Sequence, residues 1–206
     1  MTLTLNDDKV WFDEAHKLDH ICVDVFTAQE NGHSVIVLSH FESTVTSLAV
    51  LLREKGTTYG GVSPLNLAEL CISAPGRVWL GLARAFQVGP QMTSQAQSST
   101  IEIIVAEHHP MHSRDQEIVD TAAKLACDAQ VSFYFSLDDP VMTYFGATSI
   151  KALFERLGVD KSECLSNHLI NTAVRTAQEK IESEVGKDLP AHSAADWFKY
   201  NLQKKK

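Results

Sequence analysis

Apolar positions follow two rhythms along this chain. Between Asp13 and Asn31, the residues Leu18, Ile21, Cys22, Val25 and Ala28 recur at helical spacing, and Asn31-Gly32 supplies a stop. Ser34 to Ser39 (SVIVLS) is instead a continuous β-branched run, too short for a helix, and predicts a buried strand. From Thr44 to Lys55, Val45, Leu48, Leu51 and Leu52 fall on one helical face, with Ser43 as the expected cap and Gly56 as the end. Thr57 to Ser63 is glycine-rich with room for a short strand. Ser63-Pro64 then predicts the start of a short helix through Cys71.

The alternation continues. Arg77 to Leu82 reads as a strand after the turn Ala74-Pro75-Gly76, and Gln87 to Thr100 as a long polar loop. Ile101 to Ala106 is a further strand. Ser113 to Ala126 is a helix opened by the capping-box pattern Ser113-x-x-Gln116, and Gln130 to Leu137 is a strand of high β propensity. Beyond it only helical spacing remains, over Thr148 to Leu157, Glu163 to Val185 and Ser193 to Gln203. Strands alternating with helices imply a mostly parallel sheet covered on both faces. With right-handed crossovers, the fold class is α/β, a three-layer αβα sandwich. Residues 1–146 are expected to form it, and residues 147–206 a helical appendage packed on it.

Composition narrows the function. The 206 residues are 44% hydrophobic and 21% charged, enough apolar material for a proper core. The net charge of -8 argues against nucleic acid as a main partner, because phosphate backbones need clustered cations. Cys22, Cys71, Cys127 and Cys164 form no C-x-x-C pair, which suits buried thiols in a reducing cytoplasm. No basic segment followed by an apolar run marks a secretory signal, and no transmembrane segment is expected.

The segment from His108 to Met142, HHPMHSRDQEIVDTAAKLACDAQVSFYFSLDDPVM, resembles the end of the second nucleotide-binding lobe of the SecA preprotein translocase motors. The shared residues are His109, Asp115, Phe133, Tyr134, Ser136, Leu137, Asp139 and Met142. Gly32 to Gly56, Ile150 to Gly158 and Asn171 to Glu182 are similar to further units of that lobe. The resemblance implies a RecA-like, helicase C-terminal lobe of the P-loop NTPase fold. It also implies that two arginines should reach the γ-phosphate of ATP from the helix after His109, where fixed cations stabilise phosphoryl transfer.

Those positions are Thr121 and Lys124, and the surrounding glycines and glutamine are replaced by Glu117, Asp120, Ala123 and Ala126. Thr121 has no charge, and Lys124 lacks the planar fork of donors. A second motif of the family should follow the strand at Arg77 to Leu82. There Arg84 is the surviving arginine, and no carboxylate occurs between Glu69 and Glu102. No G-x-x-x-x-G-K-[ST] loop exists, and the letters DEAH at Asp13 to His16 open a helix instead of ending a strand. The expectation is therefore a degenerate motor lobe, not an enzyme by itself. Arg84, Thr121 and Lys124 are its nucleotide-edge remnants. It needs no cofactor, with room for weak ATP or ADP binding at most. A protein partner is expected, and a homo-oligomer is compatible with the sequence. Two alternatives stay open: half of an ATPase completed in trans by a partner carrying the phosphate loop, or an unrelated doubly wound enzyme using His40, Glu42, Glu107, His108 and Asp138 at the strand ends.

One other cluster carries ligand-type side chains, Glu107-His108-His109-x-x-His112. Imidazoles and a carboxylate suit Zn²⁺. Pro110 breaks any helix there, so a solvated loop at the strand end is expected, with no metal. Trp11-Phe12 and the Trp197, Phe198, Tyr200 group are either packed at home or exposed for a partner.

Overall fold

A computed structural model describes residues 2–63, 76–87, 100–125, 127–144 and 151–202, the last range without 153, 157, 159, 166 and 167. The expected helix from Ser63-Pro64 to Cys71 and nearly all of the polar loop from Gln87 to Thr100 lie outside the described residues.

The strands are β1 (Leu3–Leu5), β2 (Lys9–Trp11), β3 (Ser34–Ser39), β4 (Gly60–Gly61), β5 (Val78–Leu82), β6 (Thr100–Val105) and β7 (Asp128–Ser136). They form one seven-stranded sheet in the order β1-β7-β6-β3-β5-β4, with β2 also on β7. Every described pairing is parallel. The helices are α1 (Glu14–Glu30), α2 (Glu42–Glu54), α3 (His112–Ala122), α4 (Pro140–Tyr144), α5 (His168–Glu184) and α6 (Ala194–Asn201). The result is a three-layer α/β architecture, a parallel sheet with helices on both faces.

The continuous apolar run of β3 has a simple cause. The strand is central, and both its faces are covered. Val35 and Val37 join Leu80 and Ile104 against Ile21 and Val25 of α1 and Leu48 and Leu52 of α2. Ile36 and Leu38 join Ile103 and Val131 against Ile118 and Ala122 of α3. Each such buried side chain contributes about 1.5–3 kcal/mol relative to exposure. The helix stop at Asn31-Gly32 forms as the sequence predicts, with Gly32 at φ 75°. Gly81 of β5 also has no substitute, since a Cβ there would lie 2.7 Å from the Cβ of Val62.

β1 and β2 were not anticipated. Leu3 lies opposite Ala129, but Lys9 lies opposite Tyr134, so the register slips by one residue across Asn6-Asp7-Asp8. This break is fastened by Asn6, whose backbone N–H donates to the Val131 carbonyl at 2.9 Å and whose side-chain amide donates to Ser132 Oγ at 2.9 Å. Trp11 and Phe12 are buried, so the aromatic pair packs at home.

Two caps differ from expectation because tertiary partners replace local ones. α2 begins at Glu42 with no side-chain cap, and the N–H of Ser43 donates to the His192 carbonyl at 3.1 Å. α3 begins at His112, and the N–H of Ser113 donates to Glu182 of α5 at 3.2 Å, so the expected capping box is absent. The C-terminal helices thus supply groups that helix ends require. They build two further apolar clusters. Val174 packs on Val10, Phe12, Phe135 and Met142. Ile181 and Trp197 pack on Phe41. Ser193 caps α6, its hydroxyl accepting from the Asp196 N–H at 3.1 Å. Among the described residues, no helix is long and apolar enough to cross a membrane.

Candidate functional site

β3 is flanked by β6 on one side and β5 on the other. The chain leaves β3 towards β4 and β5 and returns through β6, so the loops after β3 and β6 part at their carboxyl ends. A parallel sheet opens its ligand crevice at such a switch point. His40 and Phe41 follow β3. Glu107, His108 and His109 follow β6.

Asp115, in the first turn of α3, is the hub of this region. Its carboxylate accepts from His40 Nε2 at 2.8 Å, His108 Nδ1 at 2.7 Å, the His109 N–H at 3.0 Å and Gln178 Nε2 at 2.6 Å. Burial opposes its charge, but the His108 and His40 imidazoles outweigh burial and hold the carboxyl well below the usual range. Burial likewise disfavours a charged His108. Asp115 on one ring nitrogen and Asp8 on the other, at 3.3 Å, overcome this and push it up to about 10. Its ring also stacks on Phe133, centroids 4.8 Å apart.

His109 behaves oppositely. Burial, then the neighbouring His40, lower it to about 3. Its Nδ1 accepts the Met111 N–H at 3.0 Å, which fits a neutral ring. That ring lies between Phe41, 5.7 Å away, and the edge of Trp197, 5.3 Å away.

Glu107 faces the end of β3. One oxygen accepts from Ser39 Oγ, from the His40 N–H at 2.8 Å and from the Phe41 N–H at 3.2 Å. Near it, Lys17 of α1 is 1% exposed and donates to Asp139 at 2.9 Å. Asp139 also accepts from the Ser136 hydroxyl at 2.8 Å. Burial works against the Lys17 charge, and the carboxylates of Asp139 and Glu107 more than restore it, raising its pKa.

The expectation of a solvated loop at Glu107 to His112 is overturned. Glu107, His108 and His109 are all buried, because Asp115, Gln178 and the His40 and Phe41 amides provide partners that solvent would otherwise supply. The three side chains also diverge: Glu107 towards β3, His108 towards Asp8, His109 towards Trp197. His112 is half-buried and opens α3 on another side. Among the described residues, no group of three or more His, Cys, Asp or Glu is arranged to hold a metal ion.

Arg84, Thr121 and Lys124 do come together. They line one cleft of about 550 Å³ whose floor includes His40, Phe41 and His109. Arg84 lies on the single 3-10 turn after β5 and pairs with Glu42 at 2.8 Å. Thr121 is in the last turn of α3, where its hydroxyl donates to the Glu117 carbonyl at 2.7 Å. The predicted helix runs on to Ala126, but α3 ends at Ala122, so Lys124 sits exposed in the turn beyond it. The other wall of the cleft is the chain's own C-terminal segment, with Asp188, Pro190, Ala191 and Trp197. Arg114 ties that wall to α3 through Asp188, at 2.9 and 2.7 Å, and Trp197 Nε1 donates to the same carboxylate at 2.8 Å.

Of the other residues considered at the strand ends, Glu42 is engaged by Arg84, and Asp138 pairs with Lys151. Neither joins the Asp115 network. Asp115 carried no role in the sequence reading, and Lys17, Gln178 and Asp188 were missed. Asp115 and Asp139 were visible as shared residues of the resemblance. Nothing local points Lys17 at a residue 122 positions away.

A parallel α/β sheet with a cleft at the carboxyl ends of its strands is compatible with the lobe that the sequence resemblance implied. No family model matches the chain. Among curated proteins, the protein translocase subunit SecA of Campylobacter concisus is 25% identical over 190 residues, covering 86% of this chain and 21% of that protein. SecA of Solidesulfovibrio magneticus is 24% identical over 186 residues, covering 85% and 22%. SecA of Campylobacter curvus is 35% identical over 81 residues, covering 39% and 9%. The chain is thus similar to SecA along most of its own length and spans about a fifth of the full-length relatives it matches. The C-terminal part of the Fun30 ATPase domain aligns with a TM-score of 0.46 and 12% identity, covering 81% of this chain and 54% of that one.

Proposed function

We propose that this chain is a SecA-like lobe that acts as a protein-interaction or regulatory module and does not hydrolyse nucleotide by itself. The observation that carries the reading is the charge of the strand-end cleft. Thr121 and Lys124 stand where the resemblance expects two arginines, beside Glu117, Asp120 and Asp188. Arg84 and Arg114 also line the cleft, and both are paired with carboxylates. A triphosphate brings negative charge, and its transfer needs fixed cations aimed at it. Carboxylates and spent guanidiniums do the reverse.

The residues shared with SecA support the same reading. Asp115, Ser136 and Asp139 fasten loops to strands, while Phe133, Tyr134, Leu137 and Met142 are buried. They keep a frame, and a frame persists where chemistry does not. The relatives are named translocase subunits, so the partner proposed is a protein of that apparatus.

One geometric fact favours a second reading. Arg84, Thr121 and Lys124 share a single cleft, the arrangement needed if a partner carrying the phosphate loop closed on it. Turnover assays separate the two. The module reading expects no ATP hydrolysis by the chain alone. Turnover by the isolated chain that Lys124→Ala abolishes would overturn it, and turnover only in a reconstituted pair would establish the second reading.

A further inference from the structure

Two imidazoles in the strand-end cleft each use one ring nitrogen inside the chain and leave the other unused. His40 donates from Nε2 to Asp115 at 2.8 Å, and an ionised carboxylate can only accept. In the neutral ring, His40 Nδ1 is then a bare acceptor. His109 is the converse. Its Nδ1 accepts the Met111 N–H at 3.0 Å, so in the neutral ring Nε2 carries the hydrogen and donates. Both rings line the cleft. Among the described residues, the one partnerless side-chain nitrogen closed off from solvent is Trp11 Nε1. His40 Nδ1 and His109 Nε2 are therefore open to the cleft.

We propose that this pair of nitrogens binds a primary carboxamide, supplied by an asparagine or glutamine side chain of a protein partner. The proposal rests on the interaction-module reading and names what that cleft recognises.

The choice of group follows from the pairing of one donor with one acceptor. The two ring centroids are 5.1 Å apart, with the planes at 65°. A phosphate or carboxylate only accepts and leaves His40 Nδ1 facing another acceptor. An ammonium or guanidinium only donates and leaves the His109 N–H facing another donor. A trans peptide unit has both groups, but its N–H and C=O point in opposite directions. A primary carboxamide presents an oxygen and an N–H on one edge. The rim carries both signs, with Lys124 near Asp120, so it does not select a charged head.

The surroundings make the pair selective. The His40 side chain is 6% exposed and His109 is 7% exposed. Water is scarce there, so a ligand that leaves either nitrogen unsatisfied is penalised. The rings are also held in place before binding. Asp115 fixes His40, and His109 stands between Phe41 at 5.7 Å and the edge of Trp197 at 5.3 Å. Little ordering is needed when the ligand arrives. Phe41, Phe86 and Ile118 give the same cleft apolar surface for an aliphatic stem.

The test uses the ¹⁵N-labelled full chain and the blocked tripeptide acetyl-Leu-Gln-Leu methylamide, whose glutamine carries its one primary carboxamide. Long-range ¹H–¹⁵N spectra read the imidazole nitrogens directly. Saturable shifts at His40 Nδ1 and His109 Nε2 are expected, with both tautomers unchanged. Counterparts with glutamate or methionine in place of glutamine should bind about tenfold more weakly, the scale of one lost hydrogen bond. His109→Phe keeps a ring between Phe41 and Trp197 and should lose the same factor. The wild-type ring signals carry the test whether or not that variant folds. No saturable shift at either ring nitrogen, or equal affinity for the glutamate or methionine peptide, would overturn the proposal. Equal affinity for adenosine, whose base also has a donor and an acceptor on one edge, would overturn the protein-docking part. ATP turnover judges the module reading and is independent of these shifts, so the two proposals can fail separately.

Discussion

The Gln178 side chain, on α5, reaches the Asp115 carboxylate at 2.6 Å and the His109 carbonyl at 2.7 Å with one amide nitrogen. Both ends of this contact are buried. It fastens the C-terminal helices to the loop that follows β6, at the centre of the strand-end region. Glu182, Asp188 and His192 extend the same attachment along the chain, to Ser113, Arg114 and Ser43.

Gln178→Leu should therefore weaken two regions together. It strands the His109 carbonyl, while the Asp115 oxygen keeps His108, and a buried group left unsatisfied costs about 1–3 kcal/mol. For a chain of this size each kcal/mol lowers Tm by roughly 2–4 °C. Thermal unfolding measures the drop. Limited proteolysis should show cleavage after residue 184 rising in step with it. An unchanged Tm would mean that the amide is dispensable.

Asp115 and His108 set a pH dependence. Asp115 is held below the ordinary aspartate value of 3.8, so its contribution is present above that pH and is lost as pH falls. His108 is raised from 6.5 to about 10, so its contribution is full below pH 6.5 and is lost as pH rises through about 10. Urea unfolding at pH 7, 8 and 9, above the range in which the neutral His109 ring changes stability, should show the wild-type chain losing stability across that interval. Asp115→Asn should be less stable at pH 7 and should show a flatter decline. Parallel profiles for the two proteins would contradict the assignment.

Lys17 and Asp139 form an ion pair with little access to water. Breaking such a pair from one side leaves a buried charge and costs about 3–5 kcal/mol. Lys17→Met should cost that much, whereas Lys17→Met combined with Asp139→Asn should recover a large part of it. A double-mutant cycle by chemical denaturation reads the coupling. Additive losses would show that the two residues act independently.

The central strands were legible because burial on both faces forces an unbroken apolar run, as in Val35 to Leu38. β1 and β2 were not. Each is three residues long, and one residue of slack separates their registers, so Leu3, Leu5, Val10 and Trp11 give no single period. Caps failed for a related reason. Ser43 and Ser113 have the right chemistry, but His192 and Glu182, remote in sequence, occupy their amides. At the candidate site, the ligand-rich run at Glu107 was visible as chemistry. Its burial was not, because that depends on Gln178, 69 positions from His109. The cleft formed by Arg84, Thr121 and Lys124 could be foreseen only through the resemblance, since the three are scattered over two loops and a helix end.

Calorimetric titration of the purified chain with ATP and with ADP, in the presence of Mg²⁺, tests the central claim most directly. A cleft bearing Glu117, Asp120 and Asp188, with its arginines already paired, predicts no saturable heat for either nucleotide. Saturable ATP binding that disappears in Lys124→Ala would contradict it.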